Sequence, residues 1–182
     1  MPTRRQTIIG VGSVAAGSGA VLSAGAFADS MSAGADMRVV VVSNLQLEPA
    51  RDDDAYVDTE GDEIGIEIQR LNRHAFTDFG ELLLIRNEGN VGYDRLTFDF
   101  SVLDDPDPDV ADVMGIVSGD HEVVETDDGR FEIEPENGLE PGGDPVAFGV
   151  TVDLLPDSDP GLSNLPESTA ELELGIVAER LE

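Results

Sequence analysis

The chain has 182 residues, 39 of them acidic and 10 basic, for a formal charge of −29 at pH 7. All ten basic residues are arginine, and cysteine is absent. That composition excludes disulfides, thiolate chemistry and a lipid-anchored cysteine, and with no basic patch it argues against nucleic acid as a partner.

Arg4 and Arg5 stand just ahead of an uncharged run from Gln6 to Ala28, which closes on Ala26-Phe27-Ala28. A positive start, an apolar stretch and a small-x-small end form the order of an export signal. The twin arginines, with Ile8-Ile9 soon after, point to the Tat route, which carries folded proteins. The sequence therefore predicts a leader over residues 1–28 and a secreted domain over 29–182, outside the cell and associated with its surface. Ala33-Gly34-Ala35 offers a second cleavage site, which leaves the mature start open between Asp29 and Asp36. A retained anchor competes with this reading, because the run of 23 residues from Gln6 to Ala28 is long enough to cross a core of about 30 Å. Its many small residues and Ala-x-Ala end favour removal. If it were uncut, this segment would be the one contact with a membrane. Gly10-Val11-Gly12-Ser13-Val14-Ala15 loosely fits a dinucleotide loop, but no strand precedes it. An ordinary buried helix ranks below both export readings.

Removal of residues 1–28 leaves 154 of the 182 and takes the charge to −31, since the two lost charges are Arg4 and Arg5. A chain of that length can bury roughly 68–70% of its unfolded surface. High acidity with few aromatics often marks disorder. Here the acids alternate with Val, Ile, Leu and Phe, so a folded protein in brine fits better. At molar ionic strength the Debye length is about 3 Å, and self-repulsion is largely screened.

Met37–Leu47 contains four consecutive valines, Val39–Val42. Such a β-branched run predicts a strand buried on both faces. Asp52-Asp53-Asp54 breaks the pattern. Ile64, Ile66 and Ile68 alternate with polar or small residues and predict a half-buried strand. Glu81–Arg86 carries Leu82-Leu83-Leu84-Ile85 and runs into Asn87-Glu88-Gly89-Asn90, a turn expected from the tolerance of Gly and Asn for positive φ. The clearest alternation follows, with Leu96, Phe98, Phe100 and Val102 on one face and Arg95, Thr97, Asp99 and Ser101 on the other. Only a period of two sorts these residues.

Asp104–Asp112 is an acidic loop punctuated by proline. Val113–Ser118 and Glu122–Glu125 are weaker strands, and Asp127-Asp128-Gly129 turns the chain into Arg130–Glu134. Pro141-Gly142-Gly143 precedes Pro145–Leu155, which places Val146, Phe148, Val150, Val152 and Leu154 on one face. Pro156–Pro166 is a loop. Thr169–Glu179 sets Leu172, Leu174, Ile176 and Ala178 opposite Glu171, Glu173, Gly175 and Glu179. Ser168 with Glu171 fits a helix capping box, but the alternation behind it outweighs that. The expectation is an all-β, single β-sandwich of jelly-roll or immunoglobulin-like type with eight or nine strands.

Motifs that carry enzyme chemistry are nearly absent. His74 and His121 are the two histidines. Each lies near a strand end beside charged residues, which reads as surface, and paired carboxylates are too common to single out an acid–base couple. The expectation is a protein that is not an enzyme and needs no cofactor, calcium being the one to consider. Asp105-x-Asp107-x-Asp109 matches the first three positions of a calcium loop, but Val110 stands where the turn wants Gly and Ile116 where a bidentate Glu belongs. A looser calcium site from Asp104, Asp105, Asp107, Asp109 and Asp112 stays open, set against a hydrated acidic loop. The other candidate is the apolar strand Arg38–Leu47 with Val39, Val40, Val41 and Val42. It sits next to the cleavage point and is tethered by the polar stretch Glu48–Asp58. Such a strand either pairs at home or completes the sheet of a neighbouring subunit.

The leader (Arg4-Arg5, then Gly12-Ser13 and Gly17-Ser18-Gly19-Ala20, ending Gly25-Ala26-Phe27) resembles that of a group of secreted haloarchaeal proteins. Ala33-Gly34-Ala35-Asp36-Met37-Arg38-Val39-Val40 is similar to their entry into a Val-rich strand. Phe76-Thr77-Asp78-Phe79 and Leu84-Ile85-Arg86-Asn87-Glu88-Gly89 resemble their central strand and turn, and Ala170–Glu179 resembles their last strand. That group is itself similar to TasA- and camelysin-type biofilm-fibre subunits and the related archaeal bundling pili. The resemblance implies a jelly-roll-like sandwich and, in fibre-forming members, an N-terminal strand donated to the next subunit. On this chain that strand would be Val39–Val42. Gly34 and Met37 depart from the pattern and bear on the processing point. The function expected is an exported structural protein of a halophile surface, a filament or matrix subunit whose partners are its own copies or other surface proteins. The alternative is a monomeric surface binding module that takes calcium.

Overall fold

The computed structural model describes residues 33–41, 44–51, 55–59, 64–71, 75–103, 109–155 and 170–181. Twelve strands form there: β1 (Ala33–Val41), β2 (Leu45–Pro49), β3 (Val57–Asp58), β4 (Ile64–Leu71), β5 (Phe76–Asp78), β6 (Leu83–Asn87), β7 (Arg95–Val102), β8 (Met114–Val117), β9 (Val123–Glu125), β10 (Phe131–Ile133), β11 (Val146–Asp153) and β12 (Ala170–Glu179). One helical turn, α1 (Asp109–Asp112), interrupts them.

The period-two stretches become the long strands. In β7, Leu96 and Phe98 are fully buried, and in β12 so are Leu172, Leu174 and Ile176. Val146, Phe148, Val150 and Val152 of β11 turn inward from the other side. A single hydrophobic core joins the two inner faces. Phe98 of β7 meets Phe148 of β11 with ring centroids 5.1 Å apart, and Tyr56 meets Phe79 edge-on at 5.1 Å. Each fully buried Leu, Ile or Phe contributes about 1.5–3 kcal/mol. Without disulfides, this interlocking of two apolar faces carries the stability.

The larger sheet runs β3-β4-β1-β12-β7-β10-β9. β1 pairs antiparallel with β4 and parallel with β12; β12 pairs antiparallel with β7. The smaller sheet contains β2, β6, β11 and β5, with β8 also on β11. β5 and β6 run end to end along β11. Between them the Phe79 amide donates to the Val150 carbonyl (3.1 Å) and the Leu82 amide to the Phe148 carbonyl (2.9 Å). The chain bulges there at Gly80, whose φ of 63° is left-handed.

The β-sandwich matches the expectation, but twelve strands replace the eight or nine. Met37–Leu47 is not one strand. It divides into β1 of the larger sheet and β2 of the smaller, and the chain crosses the sandwich between Val41 and Leu45. Nor is the valine run buried on both faces. Val39 is buried while Val40 is 36% exposed, because a strand of the outer layer keeps one face in water. Glu48–Asp58, read as a polar tether, holds the end of β2 and all of β3. Part of the Asp104–Asp112 loop is the turn α1. β3 and β5, of two and three residues, are too short to show a period.

Candidate functional site

β1 is the element on which the sequence reading placed assembly. Ala35, Met37 and Val39 point into the core, and Asp36, Arg38 and Val40 point out. Its backbone is paired on both sides over Ala35–Val39; Ala33 is paired only with Leu71 of β4, across a register shift, and Val40 and Val41 only with β12. On the outer face Asp36 stands in register between Glu67 and Glu171, three carboxylates abreast. One step along, Arg38 forms an ion pair with Glu173 of β12. Like charges directly opposite oppose pairing, and an opposite-charge pair favours it. Added salt screens both the repulsion among the three carboxylates and the exposed Arg38–Glu173 attraction. Val42, the last valine of the run, lies outside the described residues.

Two further arginines, Arg86 and Arg95, likewise link neighbouring strands, and Arg130 pairs from the turn before β10. Arg86 of β6 reaches Glu48 of β2 at 2.7 Å, and that hydrogen bond raises its pKa above the usual guanidinium value. Arg95 of β7 joins Glu132 (3.2 Å) and Glu134 (2.6 Å), with its pKa raised chiefly by the Glu134 bond. Arg130 lies 3.8 Å from Asp99 and 3.5 Å from Asp128. The Asp128 carboxyl is held below the usual carboxylate range, first by the Thr126 hydroxyl donating to it at 2.5 Å and then by Arg130. A depressed carboxylate stabilises the fold above its unfolded pKa and loses that contribution as pH falls through the folded value.

The leader residues Arg4, Arg5, Ala26 and Ala28 lie outside the described residues, as do Asp104, Asp105, Asp107 and His74. Asp109 and Asp112 open and close α1, whose Val110 is buried together with Val113 just beyond it. Among the described residues no group of three or more His, Asp or Glu converges as a metal site. His121 is half-buried in the bend between β8 and β9. No helix among the described residues is long and apolar enough to cross a membrane.

No family model matches the chain, and neither curated proteins nor solved structures gave a match. The fold rests on its own geometry.

Sequence reasoning missed the structural part played by Asn87. The turn after β6 was expected to rest on positive φ, yet the described glycines with positive φ are Gly80, Gly129, Gly138 and Gly142, not Gly89. The Asn87 side chain holds the turn instead. It is 2% exposed. Its Nδ2 donates to the carbonyls of Val91 (2.7 Å) and Leu139 (2.8 Å), and its Oδ1 accepts from the Gly89 amide (2.9 Å). The Asn-x-Gly spacing was visible, but the Leu139 partner is 52 residues away. Asn87→Ala is expected to cost about 1–3 kcal/mol, since the Val91 carbonyl and the Gly89 amide lose their partner and the Leu139 carbonyl keeps only the Tyr93 amide at 3.2 Å. Asn87→Asp should cost more. Its carboxylate would face two carbonyl oxygens, so the folded-state pKa rises and the variant weakens as pH climbs above about 4. Denaturant midpoints at pH 4 and pH 7 check both, and equal midpoints for Asn87→Asp would contradict this assignment.

Proposed function

We propose that this chain is an exported, non-enzymatic structural subunit at the surface of a halophile, joined to its neighbours by exchange of β1. The observation that carries the reading is a contrast in strand lengths. The strands at or near the sheet margins, β3, β9, β2, β5 and β8, have two to five residues, whereas β1 has nine and lies inside the larger sheet, between β4 and β12. Short edges blunt side-by-side stacking of sheets. Exchange needs no edge. It remakes in a second copy the same hydrogen bonds and the same buried Ala35, Met37 and Val39 contacts, so it costs little contact energy.

The connection supports this too. Three residues, 42–44, separate β1 from β2 in the opposite sheet, and short hinges favour exchange. A subunit that gives its first strand forward and receives one from behind makes a head-to-tail contact. Such contacts build open filaments unless the rotation closes a ring. The leader, the acid excess and the resemblance to fibre subunits support the export and halophile parts of the reading.

The absence of native cysteine makes the test clean. Asp36 and Glu67 are antiparallel register partners on the outer face, so Asp36→Cys with Glu67→Cys reports where β1 pairs. Mature protein is assembled in molar salt, oxidised and run under non-reducing denaturing conditions. Exchange is expected to give a ladder of covalent multimers from filaments visible in negative stain. Single particles with links only inside one chain would overturn exchange and favour the monomeric binding module.

A further inference from the structure

Two turns flanking β10 share one build, each ending on a glycine in the left-handed region. In the first, the Gly129 amide donates to the Thr126 carbonyl at 3.0 Å; in the second, the Gly138 amide donates to the Pro135 carbonyl at 2.9 Å. The glycine φ values are 78° and 69°. Asp128 precedes the first glycine and Asn137 the second, and both residues are exposed.

A side chain of this length can react with the amide nitrogen of the next residue to close a five-membered ring. Glycine in that place has no Cβ to obstruct the approach. Asn137 is the one asparagine of the chain followed directly by glycine. The two turns differ in what the ring closure must expel. Asp128 has to be protonated to lose water, but the Thr126 hydroxyl donates to its carboxyl, and Arg130 lies 3.5 Å away. Both keep it ionised. The Asn137 carboxamide is neutral and expels ammonia.

We infer that Asn137 is a site of spontaneous deamidation, and that the change loosens the buried clamp around Leu139. The Gly138 nitrogen gives up its proton and attacks Cγ of Asn137. The new N–C bond forms as the Cγ–Nδ2 bond breaks, a proton returns to the departing nitrogen, and ammonia leaves. Water then opens the succinimide at either carbonyl. One opening gives aspartate. The other gives isoaspartate, in which the main chain runs through Cγ and gains a methylene. Attack requires the Gly138 amide to release Pro135, so the turn must open first. One net hydrogen bond slows the folded protein about twofold to tenfold relative to the unfolded chain.

The consequence follows from what flanks the turn. Pro135 before it and Leu139 after it are both buried. The Leu139 amide donates to the Tyr93 carbonyl at 2.7 Å, and its carbonyl accepts from the Tyr93 amide at 3.2 Å and from Asn87 Nδ2 at 2.8 Å. A Cβ at Gly138 would already stand 3.0 Å from the Tyr93 carbonyl oxygen. An added methylene between two fixed ends therefore displaces Leu139 from those partners.

The test holds the full chain folded in molar NaCl at mildly alkaline pH, with a denatured sample beside it, and maps peptide masses over time. The mass gain of an amide turned carboxyl is expected first at Asn137, at least about twofold faster in the denatured sample. Electron-transfer fragmentation identifies the isoaspartate. Faster gain at any other asparagine of the folded protein overturns the site. So does no gain at Asn137 within about ten half-lives of the denatured reaction. Asn137→Gln would need a six-membered ring, and should keep its mass and its melting temperature through the same ageing. An equal fall in its melting temperature would overturn the inference. Asn137→Asp supplies the charge without the methylene, and should melt above aged wild type rich in isoaspartate. If those two melt alike, the lengthened main chain does not loosen the clamp.

Discussion

Gly149→Ala is expected to abolish the folded monomer. A Cβ at Gly149 would fall 1.2 Å from the carbonyl oxygen of Gly80, deep inside any van der Waals contact. The obstacle is backbone, and it cannot step aside. Phe79 and Leu82, on either side of the Gly80 bulge, donate to Val150 and Phe148 of β11, so the bulge is stitched to the strand that carries Gly149. The Gly80 amide is tied further by Asp78 Oδ1 at 2.7 Å. Relief requires breaking those bonds in a buried layer. The expected cost exceeds about 4 kcal/mol, against a total stability of about 5–15 kcal/mol for a domain of this kind. Gly175→Ala is the matched control. It also lies in a strand, but its nearest added contact is the Asp99 carbonyl at 3.7 Å, an ordinary separation. Removing a glycine there costs nothing sterically and reduces unfolded-chain entropy, so the control should hold or gain up to about 1 kcal/mol. Circular dichroism melting in concentrated NaCl separates the two. A wild-type melt for Gly149→Ala would mean that the bulge does not lie beneath β11.

The second large effect concerns β1. A chain lacking everything through Val41 is expected to lose its cooperative melt, and a peptide of residues 33–41 should restore it. Deletion strips hydrogen-bond partners from both β4 and β12 and uncovers Ile66, Ile68, Leu172 and Leu174, all now buried. Met37, at 0% exposure, accounts for much of the loss; removing such a side chain costs about 2–5 kcal/mol. Rescue by free peptide would raise the melting temperature with peptide concentration, as for any ligand of the native state. It would also show that the slot between β4 and β12 accepts a strand from solution, which exchange requires. A deleted chain that melts like the intact one would deny β1 its central place.

The long alternating strands were legible because the information is local. Leu96 and Phe98, or Leu172, Leu174 and Ile176, announce their shared face within a few residues. The short strands were not, because two or three residues carry no period. The valine run was recognisable as β, but its burial on one face only, and its division between two sheets, depend on neighbours far along the chain. Asn87 was visible as a turn residue. Its work as a buried clamp depends on Leu139, which no local pattern points to. Of the candidate site, the sequence marked Val39–Val42 and the acidic loop; it did not mark Ala33–Ala35 as strand, since two alanines and a glycine have low β-propensity. Pairing with β4 and β12 overrides that preference.

The amino-acid order alone determined that this is an acidic, disulfide-free β protein, because charge, cysteine count and the two-residue rhythm need no partner to be read. Tertiary structure decided the rest: which strands are neighbours, that Val41 and Leu45 lie in opposite sheets, why Gly149 cannot change, and that the first strand lies inside a sheet, between β4 and β12. Those facts come from hydrogen bonds and contacts between residues distant in sequence. Their free energy exists only once both sides are in place.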